Sequence, residues 1–100
     1  MGNTMNTSRM VLDIFTDQTE NAESDVIEYH GDLNTIYAFG EFDGATVKLQ
    51  VSPNRTKWFD LVEATFTEEG EPVNISISAP YIKGVVEDAG DNTNINLMVR

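Results

Sequence analysis

The sequence predicts an all-β protein, an antiparallel β-sandwich of about eight short strands. Three segments, 45–51, 73–78 and 95–100, alternate apolar and polar residues with a period of two, which is typical of strands with one buried face. Gly, Pro, Asn and Asp separate the segments at short intervals, as in sandwiches and barrels. With no long helical run, two packed sheets sharing one core explain the pattern best, and a closed barrel is the competing architecture.

The strands are predicted in chain order from these apolar runs and turn residues. The run 56–66 is ambiguous, because its apolar residues also fit a helical period, but its β-branched and aromatic residues favour a strand. The residues with this helical spacing are Trp58, Leu61, Val62 and Phe66. The core is expected to contain the large side chains of Trp58, Phe39, Tyr37 and Phe66. The predicted strands are 10–16, 26–30, 35–39, 45–51, 58–66, 73–78, 81–87 and 95–100.

The chain of 100 residues has the size of one domain with one core. Its first eight residues are rich in Asn, Thr and Ser and can bury little surface, so we expect a flexible arm over residues 1–8. The single β-sandwich domain is predicted over residues 9–100. The residues of the arm are Met1, Gly2, Asn3, Thr4, Met5, Asn6, Thr7 and Ser8.

The net charge of −11 argues against two classes of partner. A phosphate backbone attracts clustered Lys and Arg, and the sequence shows no basic patch, so we expect no nucleic-acid partner. Anionic membrane surfaces are disfavoured for the same reason. No segment approaches the roughly 20 apolar residues of a membrane-spanning helix, and no signal peptide is recognisable. The protein is therefore expected to be made in the cytoplasm.

No catalytic constellation is recognisable, so an enzyme is not expected. His30 is the single histidine and there is no cysteine, which leaves little for a nucleophilic triad or a transition-metal site. The carboxylates occur mostly in polar turns, and no glycine-rich phosphate loop is present. We expect no cofactor. Calcium near Asp88 and Asp91 stays open, because Asn92 and Asn94 add oxygen ligands but the spacing is not that of an EF-hand.

One stretch, residues 40–61, contains a recognisable set of turn, strand and loop motifs. Its parts are Gly44-Ala45-Thr46-Val47, Leu49-Gln50, Ser52-Pro53 and Trp58, followed later by Pro80-Tyr81-Ile82-Lys83. This stretch resembles a module of small structural proteins of tailed bacteriophages. The resemblance implies an antiparallel β-sandwich on the virion that decorates or cements the capsid or forms part of a fibre. It implies no binding residues, because the shared residues are structural.

Two functions follow as hypotheses. The first is a capsid decoration or cement protein on the virion surface, a homo-oligomer that binds coat protein subunits and uses residues 1–8 as a contact arm. The second is a carbohydrate- or receptor-binding module of a tail fibre. Trp58 and Tyr81 are the possible ligand platform for that second function.

Overall fold

A computed structural model describes residues 10–30 and 33–100, which form two antiparallel sheets and contain no helix. The predicted all-β sandwich is confirmed, with a short second strand that the sequence did not reveal. The strands of the described residues are β1 (Leu12–Gln18), β2 (Ala22–Glu23), β3 (Ile27–Glu28), β4 (Leu33–Glu41), β5 (Thr46–Ser52), β6 (Phe59–Phe66), β7 (Val73–Ser76), β8 (Tyr81–Glu87) and β9 (Asn94–Val99).

The strand order is β1-β9-β4-β7 in one sheet, the first sheet, and β2-β8-β5-β6 in the second sheet, with β3 also paired to β8. Ser24 bridges the gap between β2 and β3. Its backbone N–H donates to the Gly84 carbonyl (2.9 Å), and its hydroxyl accepts the Gly84 N–H (2.8 Å). When β2 and β3 are counted as one interrupted strand, each sheet has four strand positions, and the order is that of a jelly roll.

The core lies between the two sheets and is apolar. Gly84 on β8 leaves room for the opposite sheet, because a Cβ there would lie 2.8 Å from Cε2 of Phe15 on β1. The buried Asn34 bonds to the hydroxyl of Tyr29 and so joins β4 to the segment after β3. The fully enclosed residues of the central strands are Ile36, Val47, Leu49, Ile82, Val86, Ile95, Leu97 and Val99.

Two of the expected core aromatics do not belong to the core. Tyr37 and Phe39 are 38% and 37% exposed and lie on the outer face of β4. Successive side chains of a strand point to opposite faces, and the buried neighbours Ile36 and Ala38 occupy the inner positions. The expectation was wrong because β4 is apolar on both faces, so that side-chain size did not show which face was inside.

Strand β6 is confirmed as a strand, and Phe66 is buried in the core as expected, whereas Trp58 just before β6 is only half buried. The strand contains a large bulge. Between the paired residues Asp60 and Thr65, residues 61–64 lie opposite a single residue of β5. Val62 protrudes there and is 84% exposed. The helix-compatible spacing in the sequence coincides with this bulge.

The outer edges of both sheets offer little regular backbone for pairing with another chain. The edge strand β6 is interrupted by its bulge, and β1 has register shifts on both sides of Phe15. The remaining edge positions are the two-residue strands β2 and β3 and the four-residue strand β7. Contacts between copies of the described domain are therefore expected to use faces or ends instead of edges.

The strands run lengthwise, so that the molecule has two ends of different composition. The register places Ser52 beside Tyr81 at one end and Thr46 beside Glu87 at the other. From Thr46 to Ser52, six residue steps along β5 separate these ends by about 20 Å. We call the first the basic end (residues 10–12, 28–30, 33–35, 53–59, 76–81 and 100) and the second the acidic end (residues 17–21, 41–45, 67–72 and 87–93).

Candidate functional site

The β5–β6 loop at the basic end is fixed by two short polar side chains. The Ser52 hydroxyl accepts the backbone N–H groups of Asn54 (3.2 Å) and Arg55 (2.9 Å). The Asn54 carbonyl oxygen Oδ1 then accepts those of Thr56 (2.9 Å) and Lys57 (3.0 Å). Side chains thus replace the backbone bonds that this loop lacks, as in Asx and Ser turns. The loop holds its shape without regular secondary structure.

Arg55 has a left-handed backbone conformation, with φ at 68°. For a non-glycine residue this conformation costs free energy and is kept only where the surroundings enforce it. Its guanidinium carbon lies 5.0 Å from the centre of the Tyr81 ring. The next cation along the loop, Lys57, lies with Nζ 5.6 Å from the centre of the Phe59 ring. Both distances are within the range of cation–π attraction.

Trp58 carries a cation as well. Lys83 Nζ lies 4.5 Å from the centre of the indole ring and 2.6 Å from the Glu23 carboxylate. The structure therefore brings the two platform residues predicted from the sequence, Trp58 and Tyr81, to the same end of the second sheet. Each of these rings has a cation over one face, which leaves less ring surface for a stacking ligand.

Arg55 and Lys57 differ from the other cations that the structure describes. Lys48, Lys83 and Arg100 each contact a carboxylate at 3.2 Å or less, whereas no carboxylate of residues 10–30 and 33–100 lies within ion-pair distance of Arg55 or Lys57. The chain has 17 acidic residues. Two cations without an acidic partner are therefore a distinct feature of its surface.

The acidic end collects carboxylates from four turns. It is closed by bonds between those turns, such as the Thr93 hydroxyl donating to the Phe42 carbonyl (2.8 Å) and the Asn92 N–H donating to the Asp43 carboxylate (2.9 Å). At physiological salt the Debye length is about 8 Å, well below the separation of the ends, so each end keeps its own field. The carboxylates are Asp17, Glu20, Glu41, Asp43, Glu68, Glu69, Glu71, Glu87, Asp88 and Asp91.

The turn considered for calcium lies at this acidic end. Its backbone is already bonded by side chains: the Gly90 N–H donates to the Thr93 hydroxyl (2.8 Å), and the Ala89 N–H donates to the Asn21 amide oxygen (2.8 Å). Within the described ranges, no three His, Cys, Asp or Glu side chains come together as a possible metal site. Asp88 and Asp91 thus lie in a turn that protein contacts close.

The predicted arm, residues 1–8, lies outside the described residues. Its neighbour Met10 lies at the basic end, where the Asn34 amide donates to the Met10 carbonyl (3.2 Å) and the His30 N–H contacts Met10 Sδ (3.0 Å). The His30 ring is exposed, with Nε2 3.9 Å from Glu28 Oε1. The chain thus enters the described domain at the same end that carries Arg55.

A polar network covers the outer face of the second sheet. Lys48 Nζ bonds to Glu87 (3.1 Å) and to Asp60 (3.2 Å), and Gln50 Nε2 donates to Asp60 (2.8 Å). The Glu87 bond, together with Asp60, raises the pKa of Lys48. The bond from Gln50, followed by that from Lys48, lowers the pKa of Asp60. This network is satisfied within the chain and offers no site for a ligand.

The outer face of the first sheet carries aromatic and apolar side chains at its centre, beside the ion pair of Asp13 and Arg100. Tyr37 pairs with Met98 and Phe39 with Asn96 across β4 and β9. The two aromatic side chains are about 7 Å apart, because they lie two residues apart on one strand face. Sequence reasoning missed this pair by assigning it to the core.

Sequence reasoning also missed the unpaired cations. The signal was present, since Arg55 and Lys57 flank Thr56 immediately before Trp58 in a strongly acidic chain.

Among the residues that the structure describes there is no helix able to cross a membrane. Comparisons of the chain with protein-family models, curated proteins and solved structures find no match.

Proposed function

We propose that the chain is a non-catalytic virion structural protein, a capsid decoration or cement protein that binds coat subunits through its basic end. The observation that carries this proposal is the separation of charge: Arg55 and Lys57 lack acidic partners among the described residues at one end, and ten of the chain's 17 carboxylates collect at the other. The basic end would face the coat, and the acidic end would face solvent. It would be made in the host cytoplasm and act on the capsid surface.

Two further features support this proposal. Exposed apolar side chains accompany the cations at the basic end, where Val11, Leu33 and Phe59 are 65%, 64% and 51% exposed, and such side chains add contact area to an interface. The predicted arm, residues 1–8, would extend from the same end and enlarge the contact. The jelly-roll order is compatible with capsid domains but also with lectins, so that the fold alone does not decide the function.

Co-sedimentation with virions of the source phage tests the proposal. We expect saturable binding that weakens when Arg55→Gln and Lys57→Gln are combined and when residues 1–8 are deleted. The matched control combines Thr67→Glu with Asn92→Asp, which changes the net charge equally but at exposed positions of the acidic end. The control should bind like the unaltered protein. No binding by a folded sample would contradict the proposal.

Homo-oligomer formation belongs to the same proposal. Because the sheet edges are short, shifted in register or bulged, neighbouring copies would touch through faces. The outer face of the first sheet, which carries Tyr37, Phe39 and Met98, is the surface most suited to that contact. Replacing Met98→Glu there should reduce any self-association seen by sedimentation velocity. Unchanged association would place the contact elsewhere.

A second candidate function is carbohydrate binding. The observation that favours it is the pair Tyr37 and Phe39, two half-exposed rings on a flat sheet face beside the Asn96 amide, since aromatic surface and amide groups suit sugar rings and hydroxyls. On a glycan array, we expect binding that is lost in Tyr37→Ser/Phe39→Ser and kept in Trp58→Leu. The reverse result would instead locate the platform at Trp58 and Tyr81, and an inactive array would contradict this function.

A further inference from the structure

We propose that the β5–β6 loop binds carboxylates of an acidic segment of a partner polypeptide, with Arg55 and Lys57 as the binding cations. This inference rests on the proposed function and deepens it, because it names the chemistry of the surface that the basic end contacts.

The first step concerns the positive charges that have no ion-pair partner among the described residues. Lys48, Lys83 and Arg100 are neutralised locally by Asp, Glu or both. The side-chain cations of Arg55 and Lys57 lie over aromatic rings and form no ion pair with a described residue. Since an arginine presents a planar fork of N–H donors that matches a carboxylate, the unsatisfied capacity at this loop fits that group.

The second step concerns the conformation of the β5–β6 loop, which is ordered before a ligand binds. Ser52 and Asn54 fix the loop backbone, and the Tyr81 ring holds the Arg55 guanidinium in place. Immobilising a free arginine or lysine on binding costs conformational entropy. Part of that cost is already met in the folded protein, because these contacts order the loop before a ligand binds.

The third step selects the class of partner. Nucleic acid is disfavoured, because two cations release few counterions and the remaining surface repels phosphates. A sugar would stack on ring faces, but Tyr81 and Trp58 each have a cation over one face. A polypeptide can place a carboxylate on Arg55 and an apolar side chain against Phe59, which is 51% exposed although Lys57 lies over one face of its ring. The mixed surface therefore fits an acidic polypeptide best.

Nuclear magnetic resonance titration of the full chain with blocked hexaglutamate tests this assignment. We expect saturable shifts of backbone amides confined to residues 54–59 and 81. Raising the salt from about 50 to about 500 mM should weaken binding roughly tenfold, because exposed ion pairs are screened. Combining Arg55→Gln with Lys57→Gln should weaken it at least about fivefold, as expected for loss of charge-assisted bonds. Thr67→Glu/Asn92→Asp is the control of equal charge and should bind nearly normally.

The inference would be overturned by shifts spread over other surfaces or by equal affinity of the Arg55→Gln/Lys57→Gln variant. Tighter binding of hexagalacturonate than of hexaglutamate would also overturn it, because the ligand would then be a saccharide. Hexaglutamine should cause no shift, and a shift with it would exclude a carboxylate site. The outcome is separable from that of virion binding. Virions bound without hexaglutamate binding would leave the decoration role standing, and the opposite result would leave the carboxylate site alone.

Discussion

Lys83 ties the segment before β6 to the opposite edge of its sheet through Trp58. Its ammonium group lies 4.5 Å from the indole centre and also pairs with Glu23 on β2. Strand β5 lies between β8 and β6 in this sheet, so that a single side chain on β8 spans from one edge to the other. The base of the β5–β6 loop is held by this contact.

Replacing Lys83→Met should lower the free energy of unfolding by about 1 to 1.5 kcal/mol, because both the ion pair and the cation–π contact are lost while the apolar stem stays. Urea unfolding measures the change. Glu23→Gln removes the ion pair alone and should cost less than about 1 kcal/mol. Equal losses in both variants would show that the contact with Trp58 contributes nothing.

Gly84→Ala should destabilise the sandwich by about 1 to 3 kcal/mol through overpacking. The new Cβ would lie 2.6 Å from Ile14 Cγ2 and 2.8 Å from Phe15 Cε2, both on the opposite sheet. Gly70→Ala is the matched control, because nothing lies within 4 Å of its added Cβ. Thermal unfolding of the two variants should therefore differ clearly, and equal midpoints would argue against the close packing of β1 on β8.

Asn34→Ala should cost about 2 kcal/mol, because the buried amide bonds both to the Tyr29 hydroxyl and to the Met10 carbonyl. Asn74→Ala is the control: its amide is exposed and accepts only the Thr35 hydroxyl among the bonds described, so that the loss should stay below about 0.5 kcal/mol. An Asn34→Ala variant with an unchanged free energy of unfolding would mean that the bonds around Met10 do not stabilise the basic end.

Asp60 should make a small, acid-sensitive contribution to stability. Its pKa is lowered from the ordinary value of 3.8 by Gln50 and then by Lys48, so that the folded state binds a proton less readily than the unfolded state. The contribution is complete above about pH 4 and disappears as the pH falls through the folded pKa. At neutral pH, Asp60→Asn should cost less than about 1 kcal/mol, because the carboxylate is half exposed.

Urea unfolding at several pH values checks this prediction for Asp60. The difference between the unaltered protein and Asp60→Asn should close at low pH. The pKa of Lys48 is raised above 10.5, so its contribution should be complete below that pH and be lost as the pH rises through the folded pKa. A difference that stays constant from neutral pH to pH 2 would contradict the role given to Asp60.

Most of the strands could be predicted, because the alternation of apolar and polar residues shows directly which face of a strand is buried. Strand β8 was predicted with its observed limits, and β5 and β9 were predicted to within one residue. The short strand β2 was not predicted, since two residues carry no period and its pairing with β8 depends on a distant part of the chain. The jelly-roll strand order could likewise not be predicted, because the alternation of apolar and polar residues does not specify which strands become neighbours.

The core and the site were harder to predict than the strands. Tyr37 and Phe39 were wrongly assigned to the core, while the buried aromatics Phe15, Tyr29 and Phe42 were not singled out. Large apolar side chains are buried more often on average, but the face of the strand on which a residue lies decides whether that residue is buried. The approach of Arg55 to Tyr81 joins residues far apart in sequence and depends on a left-handed backbone, which residue types alone do not indicate.

The opposed ends give the molecule an electric dipole along its strands. A negatively charged target would exert a torque on such a dipole and turn the Arg55 end forward during the last nanometre of approach, within the reach that salt allows. The charge distribution would then act on the association rate more than on the lifetime of the complex. If the protein decorates a capsid as proposed, fewer of its encounters with the many equivalent coat positions would then occur in the wrong orientation.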